Sequence, residues 1–126
     1  MRAVDTNVLV RLVTRDDGRQ ASSADAFIAK GAWVPLLALT EAIWVLAAVY
    51  KRNAKSLATA VEMLLHHEHL VLQDSDVVAD ALDLFRLRPS LGFSDCLMLQ
   101  VARKAGHLPL GTFDRGLGRT EEVQKL

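Results

Sequence analysis

The sequence predicts an α/β fold with a mostly parallel central sheet of four or five strands. Short apolar runs alternate with amphipathic helical patterns along the chain, the signature of strands joined through helices. The 126 residues are 51% hydrophobic and 24% charged, enough to bury a real core and too apolar for a disordered chain. No internal repeat, low-complexity tract or linker interrupts them, so the expectation is one domain over residues 1–126.

Each element has a local reason. Residues 2–4 read as a first strand that stops at Asp5, and 6–15 as a helix with Val8, Leu9, Leu12 and Val13 on one stripe. Asp16-Asp17-Gly18 is a turn, and a helix over 20–30 is closed by Gly31. Residues 32–36 form a second strand, with Pro35 placing it at a sheet edge or marking its end. The strongest helix covers 37–51, where Ala38, Ala42, Val45, Leu46 and Val49 recur at three and four residues, and Asn53 breaks it. A helix over 55–67 carries Leu57, Val61, Leu64 and Leu65, and Leu70–Leu72 is a third strand. The helix Ser75–Leu87 turns Val78, Ala81, Leu82 and Phe85 inward. A loop to Gly92 follows, then a helix capped by Ser94 and ended by Gly106. Residues 108–113 are a strand running into Asp114, and 122–126 supply a last short one.

Composition excludes several classes. Fifteen basic and fifteen acidic residues give a formal net charge of zero, which excludes a polybasic nucleic-acid binder but not a local basic rim. The single Cys96 excludes a disulfide scaffold and a multi-cysteine zinc site. Asp5 interrupts the N-terminus before a secretory apolar segment forms, and the apolar run at 42–50 falls far short of the ~20 residues that span a bilayer. The expectation is a cytoplasmic protein with no membrane partner.

Most of the acids, among them Asp25, Glu62, Asp80 and Asp83, fall on solvated helix faces. Four others sit in apolar company, where an unpaired charge is costly. Asp5 ends the first strand, Glu41 lies early in the helix after the second, Asp95 opens the helix of Cys96-Leu97-Met98-Leu99, and Asp114 ends the strand of Leu110-Gly111-Thr112-Phe113. Singly, Asp5 with Thr6 reads equally well as an N-cap and Asp95 as an acid favoured by the helix dipole. Strand ends and helix starts share one edge of a parallel sheet, so all four can converge there. Crowded carboxylates raise one another's pKa, and a hard cation relieves them. An all-oxygen set suits Mg²⁺ or Mn²⁺ and disfavours zinc.

These segments resemble the PIN-domain nucleases, most closely the VapC-type toxins of type II toxin–antitoxin pairs. The resemblance rests on Val4-Asp5-Thr6-Asn7-Val8-Leu9, Thr40-Glu41-Ala42-Ile43-Trp44-Val45-Leu46, Phe93-Ser94-Asp95-Cys96-Leu97 and Gly111-Thr112-Phe113-Asp114, in family order across essentially the whole chain. It implies a three-layer α/β/α architecture and a Mg²⁺- or Mn²⁺-dependent endoribonuclease with Asp5, Glu41, Asp95 and Asp114 as its acidic quartet. In that reading Asp5, Asp95 and Asp114 hold the metal directly or through water. Glu41 is a ligand or orients the attacking water, and Asn7 and Thr112 support the site. The resemblance further implies an RNA substrate, a cognate antitoxin and a homodimer. Some relatives carry another acid two residues after Asp114; this chain has Gly116, which bears on whether one metal or two is held.

Other candidates carry less. His66, His67 and His69 offer too few ligands for zinc. Cys96 beside Asp95 reads as a packed thiol, and Trp33 and Trp44 as core or interface residues before base-stacking ones. Arg11, Arg15, Lys51, Arg52, Arg86, Arg88, Arg115 and Arg119 gather near the expected cleft edge. Arg115 and Arg119 directly follow Asp114 and are the first candidates for RNA phosphate contact, with Arg86 and Arg88 next. A haloacid-dehalogenase-like phosphatase needs a second acid where Asn7 stands. A catalytically silent PIN-like binding module and a DNA-directed nuclease are the remaining alternatives.

Overall fold

A computed structural model describes all residues, 1–126, as helices and parallel strands. They group into two compact units, Met1–Ser75 and Asp76–Leu126. No helix is long and apolar enough to cross a membrane.

The first unit is built on three parallel strands: β1 (Arg2–Ala3), β2 (Ala32–Val34) and β3 (Leu70–Leu72), in the order β1-β2-β3. The register pairs Arg2 with Ala32, and Ala32 and Val34 with Leu70 and Leu72. Ala32, Val34, Leu70 and Leu72 are buried, while Trp33 and its partner Val71 on the opposite face stay open. β2 is therefore central, and Pro35 marks its end rather than an edge. Proline cannot donate there, so the strand gives way to a helix.

Four helices complete this unit: α1 (Thr6–Thr14), α2 (Gly18–Ile28), α3 (Leu36–Ala48) and α4 (Ala54–Leu65). Asp5, Asp17 and Asn53 cap α1, α2 and α4, each accepting an N–H three residues on. Asn53 thus starts a helix instead of only ending one. α1 stops where Arg15 turns left-handed at φ 52°. Arg15 then reaches α2 through a two-pronged ion pair to Asp25, at 3.1 and 2.6 Å. Pro35 has no side-chain cap to offer α3, and the Gln73 amide oxygen accepts the Leu36 N–H at 2.9 Å in its stead. α3 buries Ala38, Leu39, Ala42, Ile43 and Leu46 but leaves Val49 exposed, because the helix ends at Ala48, three residues before the expected boundary. Trp44 is 67% exposed and is not a core residue.

The second unit carries α5 (Ser75–Leu87), which begins at the last residue of the first, then α6 (Phe93–Ala105) and the parallel pair β4 (Leu110–Thr112) and β5 (Val123–Lys125). The five strands thus form a set of three and a set of two rather than one ladder. Phe85 of α5 meets Phe93 of α6 edge-on, with ring centroids 5.9 Å apart. An ion pair of Asp76 with Lys104, at 3.1 Å, also ties the two helices. Gly92, at φ +82°, is the residue that enters α6, so Ser94 lies inside the first turn and is not the cap. A short 3-10 turn, Leu117–Arg119, links β4 to β5.

That turn lies so close to β5 that a Cβ on Gly118 would stand 2.8 Å from the Lys125 Cβ. Gly118→Ala is expected to destabilise the protein by about 1–3 kcal/mol, as overpacking does. The check is the urea midpoint against Gly18→Ala, where nothing lies within 4 Å of the added carbon and the midpoint should stay at or above wild type.

Candidate functional site

In the first unit, the turn from β1 into α1 and the start of α3 enclose a hollow of about 270 Å³. Val4, Pro35, Leu37 and Ala38 supply its apolar wall, and Asp5, Thr6 and Glu41 its polar groups. Asp5 Oδ1 accepts the Val8 N–H at 3.2 Å, so the carboxylate caps α1 and keeps Oδ2 for another partner. The Thr6 hydroxyl donates to Glu41 Oε2 at 2.8 Å, tying α1 to α3 and leaving Oε1 for another partner. Asn7 is exposed in the first turn of α1. Thr6 is a site residue that sequence reasoning took for a capping partner only. Its signal is a hydroxyl directly after Asp5, at the start of α1.

In the second unit, Asp95 lies in the first turn of α6 and is half-buried. Burial first, and the charge of Asp114 second, push its carboxyl above the ordinary carboxylate range. Asp114 is held at three points. Its N–H donates to the Thr112 hydroxyl at 3.0 Å, its Oδ2 accepts the Leu117 N–H at 2.7 Å, and its carbonyl accepts the Gly118 N–H at 2.9 Å. Thr112 thus holds the backbone of the turn at Asp114. Next to Asp95, burial and the Asp95 charge push the Cys96 thiol up to about 11, so Cys96 is a packed thiol and no nucleophile at neutral pH.

Asp5, Glu41 and Asp114 are exposed, so the apolar sequence around them does not translate into burial; only Asp95 is partly withdrawn from water. Each unit carries one pair of the four acids, and within neither do three or more His, Cys, Asp or Glu side chains gather as a metal-holding group. The histidine trio is among those that do not. The donor chemistry of both pairs fits a hard cation: every candidate ligand atom is a carboxylate oxygen, and in three of the four acids one oxygen is already oriented by a hydrogen bond.

The basic residues divide by what they touch. Arg88 donates to the Thr120 hydroxyl at 2.7 Å and the Gly116 carbonyl at 3.2 Å, so it ties the turn after Asp114 to the end of α5. Arg11 is held by Asp16 and Tyr50, and Arg15 by Asp25. Arg86, Arg115 and Arg119 are exposed.

In α/β proteins with parallel strands, ligands bind beyond the carboxyl ends of the strands, and Asp5 and Asp114 follow the ends of β1 and β4. The family model described as the PIN domain matches residues 2–123, and the chain belongs to that family. Its members are generally nucleases that use divalent metal ions. No curated protein matches the chain.

Proposed function

We propose that the chain is a metal-dependent endoribonuclease, the toxin of a toxin–antitoxin pair, with residues 1–126 forming one PIN domain. The observation that carries the metal reading is the Asp95–Asp114 pair. Burial and a like charge both raise the Asp95 carboxyl, and no basic side chain offsets them. A hard divalent cation, Mg²⁺ or Mn²⁺, is the natural offset.

Asp5, Asp95 and Asp114 would hold the ion, with Glu41 as a further ligand or as the group that orients the attacking water. When bound, such an ion neutralises charge on a phosphate and lowers the pKa of water. The rest is the work of the chain's own residues. Thr6 steadies Glu41 by donating to Oε2, which keeps the carboxylate an acceptor at Oε1. The Thr112 and Leu117 bonds hold Asp114 from both sides. Asn7, exposed two residues past Asp5, would support the site from the first turn of α1. The homodimer part of the reading is supported by Leu37 and Trp44, exposed apolar residues two turns apart on α3. The choice of RNA and the expected antitoxin rest on the family resemblance.

The test is cleavage of an RNA pool and a DNA pool, each with Mn²⁺ and with chelator. RNA should be cut only with Mn²⁺. Cutting of DNA alone makes this a DNA-directed nuclease, and no cutting by any divalent ion leaves a silent binding module. Arg115→Ala and Arg119→Ala should each weaken RNA binding and lower the slope of log K against log salt by about one unit, since each phosphate contact releases counterions. Unchanged slopes in both would send the RNA path elsewhere.

A further inference from the structure

A second cleft lies in the first unit, between α1 and α2, and the acids do not account for it. It measures about 430 Å³. Asn7, Arg11, Gln20 and Ser23 supply its polar wall, and Val8 and Phe27 its apolar one. This volume lies in the range of small-ligand sites, large enough for a planar heterocycle and too small for a folded element.

Its electrostatics favour a neutral polar occupant. Arg11 is the only charged group on the wall, and its guanidinium is committed to Gln20 Oε1, to Asp16 Oδ1 at 3.0 Å and to the Tyr50 hydroxyl at 3.0 Å. Tyr50 in turn donates to Asp16 at 2.8 Å. With Asp16 balancing the charge, the cleft is a poor phosphate site. The Arg11 bond fixes the Gln20 amide, whose NH₂ remains a donor, while Asn7 offers a donor and an acceptor on one amide. Phe27 is held in place, because Arg2 lies over its ring at 3.9 Å and bonds its carbonyl at 2.8 Å. Two amides, a hydroxyl and a fixed ring are the groups that read the edge and face of an unpaired base. The cleft begins at Asn7, two residues from Asp5.

We infer that the α1–α2 cleft is a base-binding subsite for an unpaired nucleotide beside the cut bond. The inference rests on the ribonuclease reading for its place in the reaction, but base binding itself is testable without cleavage. The subsite orients the RNA through its base while the exposed arginines hold phosphates. Gln20 and Ser23 are then the residues that set base preference.

Two variants test it. Ser23→Trp fills the cleft from an exposed position, and Gln20→Met removes the amide at nearly the same size; melting curves confirm that each folds. Cut ends are mapped on a random-sequence RNA pool. Wild type should show a base bias at one position flanking the cut, and both variants should flatten it by about tenfold, the discrimination of one good base contact. On an oligonucleotide abasic at that position, wild type and variants should cut alike. A readout free of activity uses Asp95→Asn protein titrated with homotetranucleotides of each base and followed by amide NMR. Shifts at residues 20–27 with one base, lost in the Ser23→Trp background, support the subsite. An intact base bias in both variants overturns the subsite and leaves the ribonuclease reading standing. If no RNA is cut, that reading fails and the NMR titration decides alone: no base-dependent shift at residues 20–27 overturns the subsite. Peptide binding at the cleft with no response to any tetranucleotide assigns it to a protein partner and overturns the proposal as well.

Discussion

Asp95→Asn should lower RNA cleavage by at least ~100-fold while the fold survives, a loss that even outer-shell changes at metal sites approach. Asp95 makes no capping hydrogen bond, so the substitution removes a charge and little else. Asp5→Asn and Asp114→Asn should lose as much. In both, the Asn oxygen can still accept the Val8 or Leu117 N–H. Alanine is the wrong probe at these two positions, because it also deletes a cap worth about 1 kcal/mol and mixes folding with chemistry. Asp25→Asn is the control: it breaks the exposed pair with Arg15 and should leave cleavage unchanged. Wild-type cleavage by Asp95→Asn would remove that residue from the mechanism.

Metal and pH should act on stability through the same residue. The Asp95 carboxyl is raised in the folded state, by burial and then by Asp114, so the folded chain binds more protons than the unfolded one. Its contribution is fully present below the unfolded value of about 4 and is lost as pH rises through the folded value. Asp16, Asp25 and Asp76 have lowered values, from hydrogen bonds led by Thr14, Arg15 and Lys104 respectively. Their contributions have the opposite sign: they are present above about 4 and lost as pH falls through the lowered values. The two effects therefore separate, and in chelator the protein should lose stability from about pH 4 toward neutrality through Asp95. Mn²⁺ binds the ionised folded site and should return about 2.7 kcal/mol at a hundredfold excess over Kd, roughly 10 °C in Tm for a chain of this size. Asp95→Asn should show a flatter pH response and a smaller gain. Equal Tm with chelator and with saturating Mn²⁺ at neutral pH would count against the acids as a metal site.

The parts of this fold legible in the sequence are those set by local chemistry. Gly106 marks a helix end because it takes positive φ there, whereas α2 already stops at Ile28 with Ala29 as its cap, three residues before Gly31; Leu70–Leu72 and Ser75–Leu87 fall where the apolar periods change. Boundaries slipped where a partner distant in the chain decides. α3 begins at Leu36 because Gln73, 37 residues on, receives its first N–H. The acids stood out as charges in apolar sequence, yet three of the four are exposed: Asp5 and Asp114 lie in turns past the ends of β1 and β4, and Glu41 lies on the side of α3 away from its buried residues. Thr6 was read only as a capping partner because Glu41, which its hydroxyl meets, is 35 residues away. Arg88 looked like Arg86, and its bonds to Thr120 and Gly116, 32 and 28 residues away, could not be read from the sequence.

Asp5 and Asp114 each close a turn with one oxygen, and that bond asks for an oxygen rather than a charge. A single G-to-A change in the first position of an aspartate codon gives asparagine. The chain therefore stands one nucleotide from versions that keep both turns, the α1–α2 cleft and the exposed face of α3 while losing a negative charge at the strand end. Disarming this architecture requires no refolding. A lineage that came to need only its binding surfaces could reach them in one mutational step, and its descendants would give up the stabilisation by metal while keeping both turns closed.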